Sequence, residues 1–211
     1  PPERTDYVFT ELSEHFLGQA PQRFNNRAFV RYEKFDLEAD PEEQGFDADS
    51  FDLVLASDVL HATSDILASL TRLRTLLKPG GAVALVELTA PCAWHDLVFG
   101  LLPGWWAFAD RDRRKDHATL PVEGWMDAFA EAGFGRGQAI ADKFGDLAAP
   151  HSVLLATKPL APDASAVCAP GIPAPHAPGA SRPVIVMGDE AGLAKPLSSH
   201  LSRLCAKGRV I

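Results

Sequence analysis

The sequence predicts an α/β domain built on a parallel sheet, and three observations carry that reading. Strand-like and helix-like segments alternate over the first 158 residues. Two near-continuous apolar runs, Phe51–Ala56 (FDLVLA) and Ala82–Leu88 (AVALVEL), have the composition of strands covered on both faces. Between them Ser64–Leu77 places Ile66, Leu67, Leu70, Leu73, Leu76 and Leu77 at helical period, and Lys78-Pro79-Gly80-Gly81 stops that helix.

The remaining elements follow in order. Tyr7–Thr10 is β-prone, and Ser13–Phe24 is helix-like through Phe16, Leu17, Ala20 and Phe24. Phe29–Phe35 alternates as a strand does. From Glu33 to Asp52 there are nine Asp/Glu and one Lys, which reads as a solvated loop. Trp94–Phe108 is apolar and aromatic, and Val122–Ala132 is a helix carrying Trp125, Phe129 and Ala132, ended by Gly133-Phe134. Gln138–Lys143 and Ser152–Thr157 close the sheet. The 25 residues from Pro159 to Pro183 hold seven Pro and seven Ala, with only Asp163 and Arg182 charged, and read as a linker. Pro183–Gly188 (PVIVMG) is again strand-like, followed by a helix over Leu193–Cys205 and a strand beginning at Arg209. The expected organisation is residues 1–158 as one domain, 159–183 as linker, and 184–211 as the opening of a second unit.

Composition narrows the function. The 211 residues carry 20 basic and 28 acidic side chains, a net charge of −8, which argues against a nucleic-acid partner because phosphate binding needs a basic surface. Hydrophobic residues are 46% and charged residues 23%, as in globular proteins. No apolar run approaches the ~18 residues of a membrane span, and no signal peptide is visible. Cys92, Cys168 and Cys205 are scattered, which suits a reducing, cytoplasmic compartment. The chain starts at Pro1-Pro2 and ends at Ile211 in a strand-like run, so a piece of a longer polypeptide is expected.

In doubly wound sheets ligands sit outside the carboxyl ends of the strands. FDLVLA runs into Ser57-Asp58-Val59-Leu60-His61, and AVALVEL holds Glu87 at its carboxyl end. If the two strands are neighbours, His61 and Glu87 share a rim, and a carboxylate beside an imidazole makes a competent general base. The other reading is a helix-capping histidine and a carboxylate in an unrelated loop. His95, His117 and His151 show no ligand spacing with cysteines or carboxylates, so no metal site is expected.

FDLVLASDVLHAT, a helix ending LLKPGG, AVALVEL, FGLLPGWWAFAD, HATLPVEGW and AGF, in that order, resemble the carbon-methyltransferase domains of modular polyketide synthases. YVFTELS and FVRYEKFDLEADPEEQGF upstream extend the resemblance, which runs from about Tyr7 to Pro159. It implies a Rossmann-like class I S-adenosylmethionine methyltransferase sheet in the α/β class. It implies that His61 and Glu87 are a catalytic dyad that deprotonates the α-carbon of a β-ketoacyl thioester. The substrate would be carried on the phosphopantetheine of an acyl carrier protein, with neighbouring synthase domains, including a ketoreductase, as further partners. Glu11 would meet the cofactor ribose, Asp36 the adenine, and Ser57 and Asp58 the methionine part. The family usually has Asn where Asp58 stands. Trp105, Trp106 and Phe108 would line the acyl pocket. Glu11 as a helix N-terminal carboxylate, and the three aromatics as ordinary core, remain open alternatives.

One part of that family's pattern is missing. No glycine-rich strand–loop–helix precedes Tyr7, so the methyltransferase is expected to be N-terminally truncated and weak or inactive by itself. A non-catalytic pseudo-methyltransferase serving as a scaffold is the alternative. PVIVMGDEAGLAKPLSSHL resembles the first strand and helix of a structural ketoreductase half; an unrelated strand–helix unit is the other reading. The turn Gly188–Gly192 lacks the three-glycine pattern of a dinucleotide site.

Overall fold

The computed structural model describes residues 5–24, 27–144, 147–160 and 182–187. The strands are β1 (Thr5–Glu11), β2 (Val30–Lys34), β3 (Phe51–Ser57), β4 (Leu77–Leu88), β5 (Gln138–Phe144), β6 (Leu147–Thr157) and β7 (Arg182–Met187). Helices α1 (Glu14–Arg23), α2 (Ile66–Leu76), α3 (Ala93–Phe99) and α4 (Val122–Glu131) connect them. The described strands form one sheet in the order β2-β1-β7-β3-β4-β6-β5. The expected α/β class holds, but the sheet is mixed rather than parallel. β6 runs antiparallel to β4 and to β5, because the short connection from β5 to β6 cannot make the crossover a parallel pair needs.

Helix α2 shows why this sheet packs as it does. The Asp65 side chain accepts from Ala68 N at 2.9 Å and caps its start. Ile66, Leu70, Leu73 and Leu76 recur on one face and are fully buried, each stabilising the fold by about 1.5–3 kcal/mol. They pack with Val54, Leu85, Trp125, Phe129 and Leu154 in the main core.

The helix stops before Lys78, as the sequence predicts, but the next strand starts earlier than Ala82. β4 begins at Leu77, pairs with Phe51, and absorbs the segment as a register shift before Ala82 meets Leu53. Gly80 takes φ +81°, a conformation open to glycine, and Lys78 Nζ reaches Asp52 Oδ2 at 3.0 Å across the irregularity. β7 lies in this same sheet, pairing in parallel with β1 (Tyr7 with Val184) and with β3 (Leu55 with Val186). A continuous apolar strand suits an interior sheet position, and it satisfies the facing backbone groups of β1 and β3, which do not pair with each other. The expected helix over 193–205, the strand from 209 and most of the linker lie outside the described residues.

Candidate active site

The parallel pairing of β3 with β4, ending at Ser57 opposite Val86, brings the carboxyl ends of both strands to one rim. Asp58 N extends the ladder by donating to Val86 O at 2.8 Å. The chain then enters a short 3₁₀ turn, Leu60–Ala62, that carries His61. Glu87, one residue from the end of β4, is fully buried and faces that turn. Its Oε1 accepts from Val59 N at 3.1 Å and Leu60 N at 2.7 Å, and its Oε2 accepts from His61 Nδ1 at 2.7 Å. One carboxylate therefore caps the turn and holds the imidazole at its tip. Because a carboxylate only accepts, the shared proton belongs to Nδ1 and the lone pair to Nε2.

His61 is 8% exposed. Burial pulls its pKa down, but the charge and hydrogen bond of Glu87, helped by Asp58, outweigh burial and an opposing contribution from Arg114. The net shift is upward, toward a stronger base. Asp58, His61 and Glu87 place ligand-type atoms within 4.8 Å of one another. Glu87 already takes three N–H donors, so the geometry is that of a hydrogen-bonded acid–base pair.

The other expected residues divide. Ser57 ends β3 on the same rim, with its Oγ buried and without a hydrogen-bond partner among the described residues. Asp58 stands beside it at φ +53°. Glu11 ends β1, where its Oε1 accepts from Ser13 N at 3.0 Å just ahead of α1. Asp36 follows β2; its Oδ1 accepts from Glu38 N at 2.8 Å, closing a local turn that Gln44 braces from the other side. Of the three aromatics, Trp105 meets the site, its ring 5.5 Å from His61 in an edge-on arrangement and 5.7 Å from Phe99 in a stack. Phe108 lies beneath, packed with Leu88, Trp105 and Ala118 under the guanidinium groups of Arg111 and Arg114. Trp106 is turned outward, 41% exposed, donating to Gly100 O at 2.9 Å. Trp94, Leu97, Val98, Leu101 and Leu102 continue that exposed apolar flank.

Four participants escaped the sequence reading. Arg114 is buried and donates from Nε to Asp110 Oδ1 at 2.6 Å, from Nη1 to His61 O at 2.8 Å, and from Nη2 to Thr63 O at 2.7 Å and Ser64 O at 3.1 Å. It ties down the backbone that presents His61. His151 Nε2 is 3.0 Å from Asp58 Oδ1, and His95 is buried 5.5 Å from the His151 ring. Neither contact follows from local spacing, because β6 must first pair with β4 to set His151 opposite Leu88. His117 likewise pairs with a carboxylate, its Nε2 2.8 Å from Asp96 Oδ1.

A switch in strand order between β1 and β3 and acidic groups at the strand ends are carried on the α/β Rossmann-like fold of methyltransferases. A family model described as a methyltransferase domain matches residues 2–83. The chain is 38% identical over 134 residues to the highly reducing polyketide synthase g433 of Fusarium sp, covering 64% of this chain and 5% of that protein. It is 40% identical over 130 residues to the methyltransferase calH of Penicillium decumbens, covering 62% of this chain and 35% of that protein. Among solved structures, the CurJ carbon methyltransferase superposes with a TM-score of 0.71 at 35% identity, over 75% of this chain and 43% of that one. The trans-methyltransferase CalH in complex with SAH superposes with a TM-score of 0.67 at 36% identity, over 72% and 42%. The chain thus spans a small fraction of the synthases it matches and less than half of the solved methyltransferases. Among the described residues, no helix is long and apolar enough to cross a membrane.

Proposed function

We propose that this chain is part of an S-adenosylmethionine-dependent carbon methyltransferase of a polyketide synthase, with His61 as general base and Glu87 as its positioning carboxylate. The observation that carries the reading is the 2.7 Å bond between His61 Nδ1 and a fully buried Glu87. The substrate fitting such a base is a β-ketoacyl thioester on an acyl carrier protein, whose α-proton lies between two carbonyls. The exposed apolar flank from Trp94 to Trp106 is suited to an acyl chain.

The rim fits the cofactor. Ser57 Oγ is a buried polar atom in need of a partner, and the carboxylates of Glu11 and Asp36 stand at neighbouring strand ends as acceptors for sugar hydroxyl and adenine amino groups. S-adenosylmethionine, when bound, supplies an electrophilic methyl group. His61 Nε2 accepts the α-proton, and Glu87 stabilises the imidazolium as it forms. Trp105 packs edge-on against the imidazole, 5.5 Å between ring centres.

His61→Ala in the intact synthase is the test. The expected result is a product of unchanged chain length that lacks the α-methyl branch. Undiminished methylation overturns the reading and leaves a scaffold role.

A further inference from the structure

Beside the dyad lies a second acid–imidazole pair that the proposed reaction does not use. Asp58 occupies a left-handed backbone conformation that a residue with a side chain rarely adopts. Its backbone is held by Val86 O, and its carboxylate by His151 Nε2, 93 residues away. Both side chains are about one quarter exposed, so they meet solvent more than His61 does. On the other side of His151 stands His95, buried, with Nδ1 lacking a partner among the described residues.

We propose that Asp58 and His151 form a positioning pair that sets the basicity of His61 according to whether His151 carries a proton. This rests on His61 being the base. When His151 is neutral, Asp58 presents its full charge to His61 and strengthens it. When His151 is protonated, the ion pair cancels that charge and His61 weakens. The two imidazoles therefore titrate as a coupled system rather than as independent sites. The charged and titratable groups that act on His61 are Glu87 from β4, Asp58 from the end of β3, Arg114 from the segment before α4 and His95 from α3, while His151 from β6 reaches it through Asp58. Arg114 is neutralised by Asp110, and burial together with His151 holds the His95 pKa down. Asp58 and His151 are thus the partly exposed acid–imidazole pair whose hydrogen bond bears on His61.

The histidine ring resonances of the 211-residue chain, followed by NMR from acid to alkaline pH, test this without requiring catalysis. Asn tolerates the left-handed backbone and keeps a polar group toward His151, so Asp58→Asn is the first variant. It is expected to lower the His61 midpoint by about 0.5 to 1 pH unit. His151→Gln is expected to turn a broadened, two-step His61 curve into a single step. A His61 midpoint moving by less than about 0.2 unit in Asp58→Asn overturns the proposal, and so does a curve unchanged in His151→Gln. Should Asp58→Asn unfold, the His151→Gln curve decides. In the synthase, the acid limb of the methylation pH profile is expected to shift with Asp58→Asn in the same direction. If His61→Ala leaves methylation intact while the titrations behave as expected, the base assignment fails and the coupling stands.

Discussion

Arg114 Nη1 donates to the backbone carbonyl of His61 at 2.8 Å, although 53 residues separate them. The contact explains how a one-turn 3₁₀ element can hold a base in place. Glu87 satisfies the turn's N–H groups, and Arg114 satisfies its carbonyls.

Removing that clamp is expected to cost stability as well as order. Arg114→Met keeps the volume but strands the carbonyls of His61 and Thr63 and leaves the buried Asp110 carboxylate without its guanidinium, a loss of about 3–5 kcal/mol. Arg31→Met, which breaks exposed pairs with Asp6 and Glu33, is expected to cost under about 1 kcal/mol. Urea unfolding of both variants checks the contrast. Equal losses would show that Arg114 is a surface-like pair.

The dyad also has a pH signature in stability. The folded-state pKa of His61 is raised, so its pairing contributes stability that is complete below the unfolded value of about 6.5. That contribution is lost as pH rises through the higher folded-state pKa. Glu87→Gln removes the charge that outweighs burial, and is expected to flatten the fall in unfolding free energy over that window. Denaturant midpoints of wild type and Glu87→Gln across the interval provide the comparison; parallel slopes contradict the assignment.

Much of this site was legible because its two anchors follow long apolar runs. FDLVLA and AVALVEL became β3 and β4, and their parallel adjacency follows from one helical crossover between them. Arg114 was hidden because it stands in a run of five charged residues, Arg111–Lys115, and nothing local marks the one guanidinium that turns inward. His151 was hidden because its position depends on an antiparallel register with β4. Trp105 and Trp106 are adjacent and identical in composition, so only the 3₁₀ geometry of Pro103–Trp106 separates the buried ring from the exposed one. The place of β7 between β1 and β3 was not legible for a related reason, since strand composition reports burial on two faces but not which sheet supplies it.

Trp105 is expected to matter for both packing and the base. Its ring is 9% exposed, packs with Leu88 and Phe108, and stacks on Phe99. Trp105→Ala opens a cavity beside His61, with a cost of about 3–5 kcal/mol in unfolding free energy. Trp105→Phe retains an aromatic wall and removes an indole N–H that has no partner among the described residues, so it is expected to cost less. Methylation by the synthase should follow the same order. Activity retained in Trp105→Ala argues that the ring is packing alone.

Glycine substitutions offer a test of the backbone with opposite signs at two positions. Gly18 lies exposed inside α1, and a Cβ there meets nothing within 4 Å. Gly18→Ala is expected to stabilise the chain by about 0.5–1 kcal/mol through helix propensity and reduced freedom of the unfolded state. Gly133 ends α4 at φ +81°, where its carbonyl accepts from Arg74 Nε at 2.9 Å and a Cβ would approach that same Arg74 nitrogen at 3.3 Å. Gly133→Ala imposes a left-handed conformation on a residue with a side chain, at a cost of about 1–2 kcal/mol, and crowds the contact joining α4 to α2. Thermal unfolding should therefore rise for the first variant and fall for the second. A rise for Gly133→Ala means that α4 does not end in the left-handed turn, and the packing of α4 against α2 and β6 would need a different explanation.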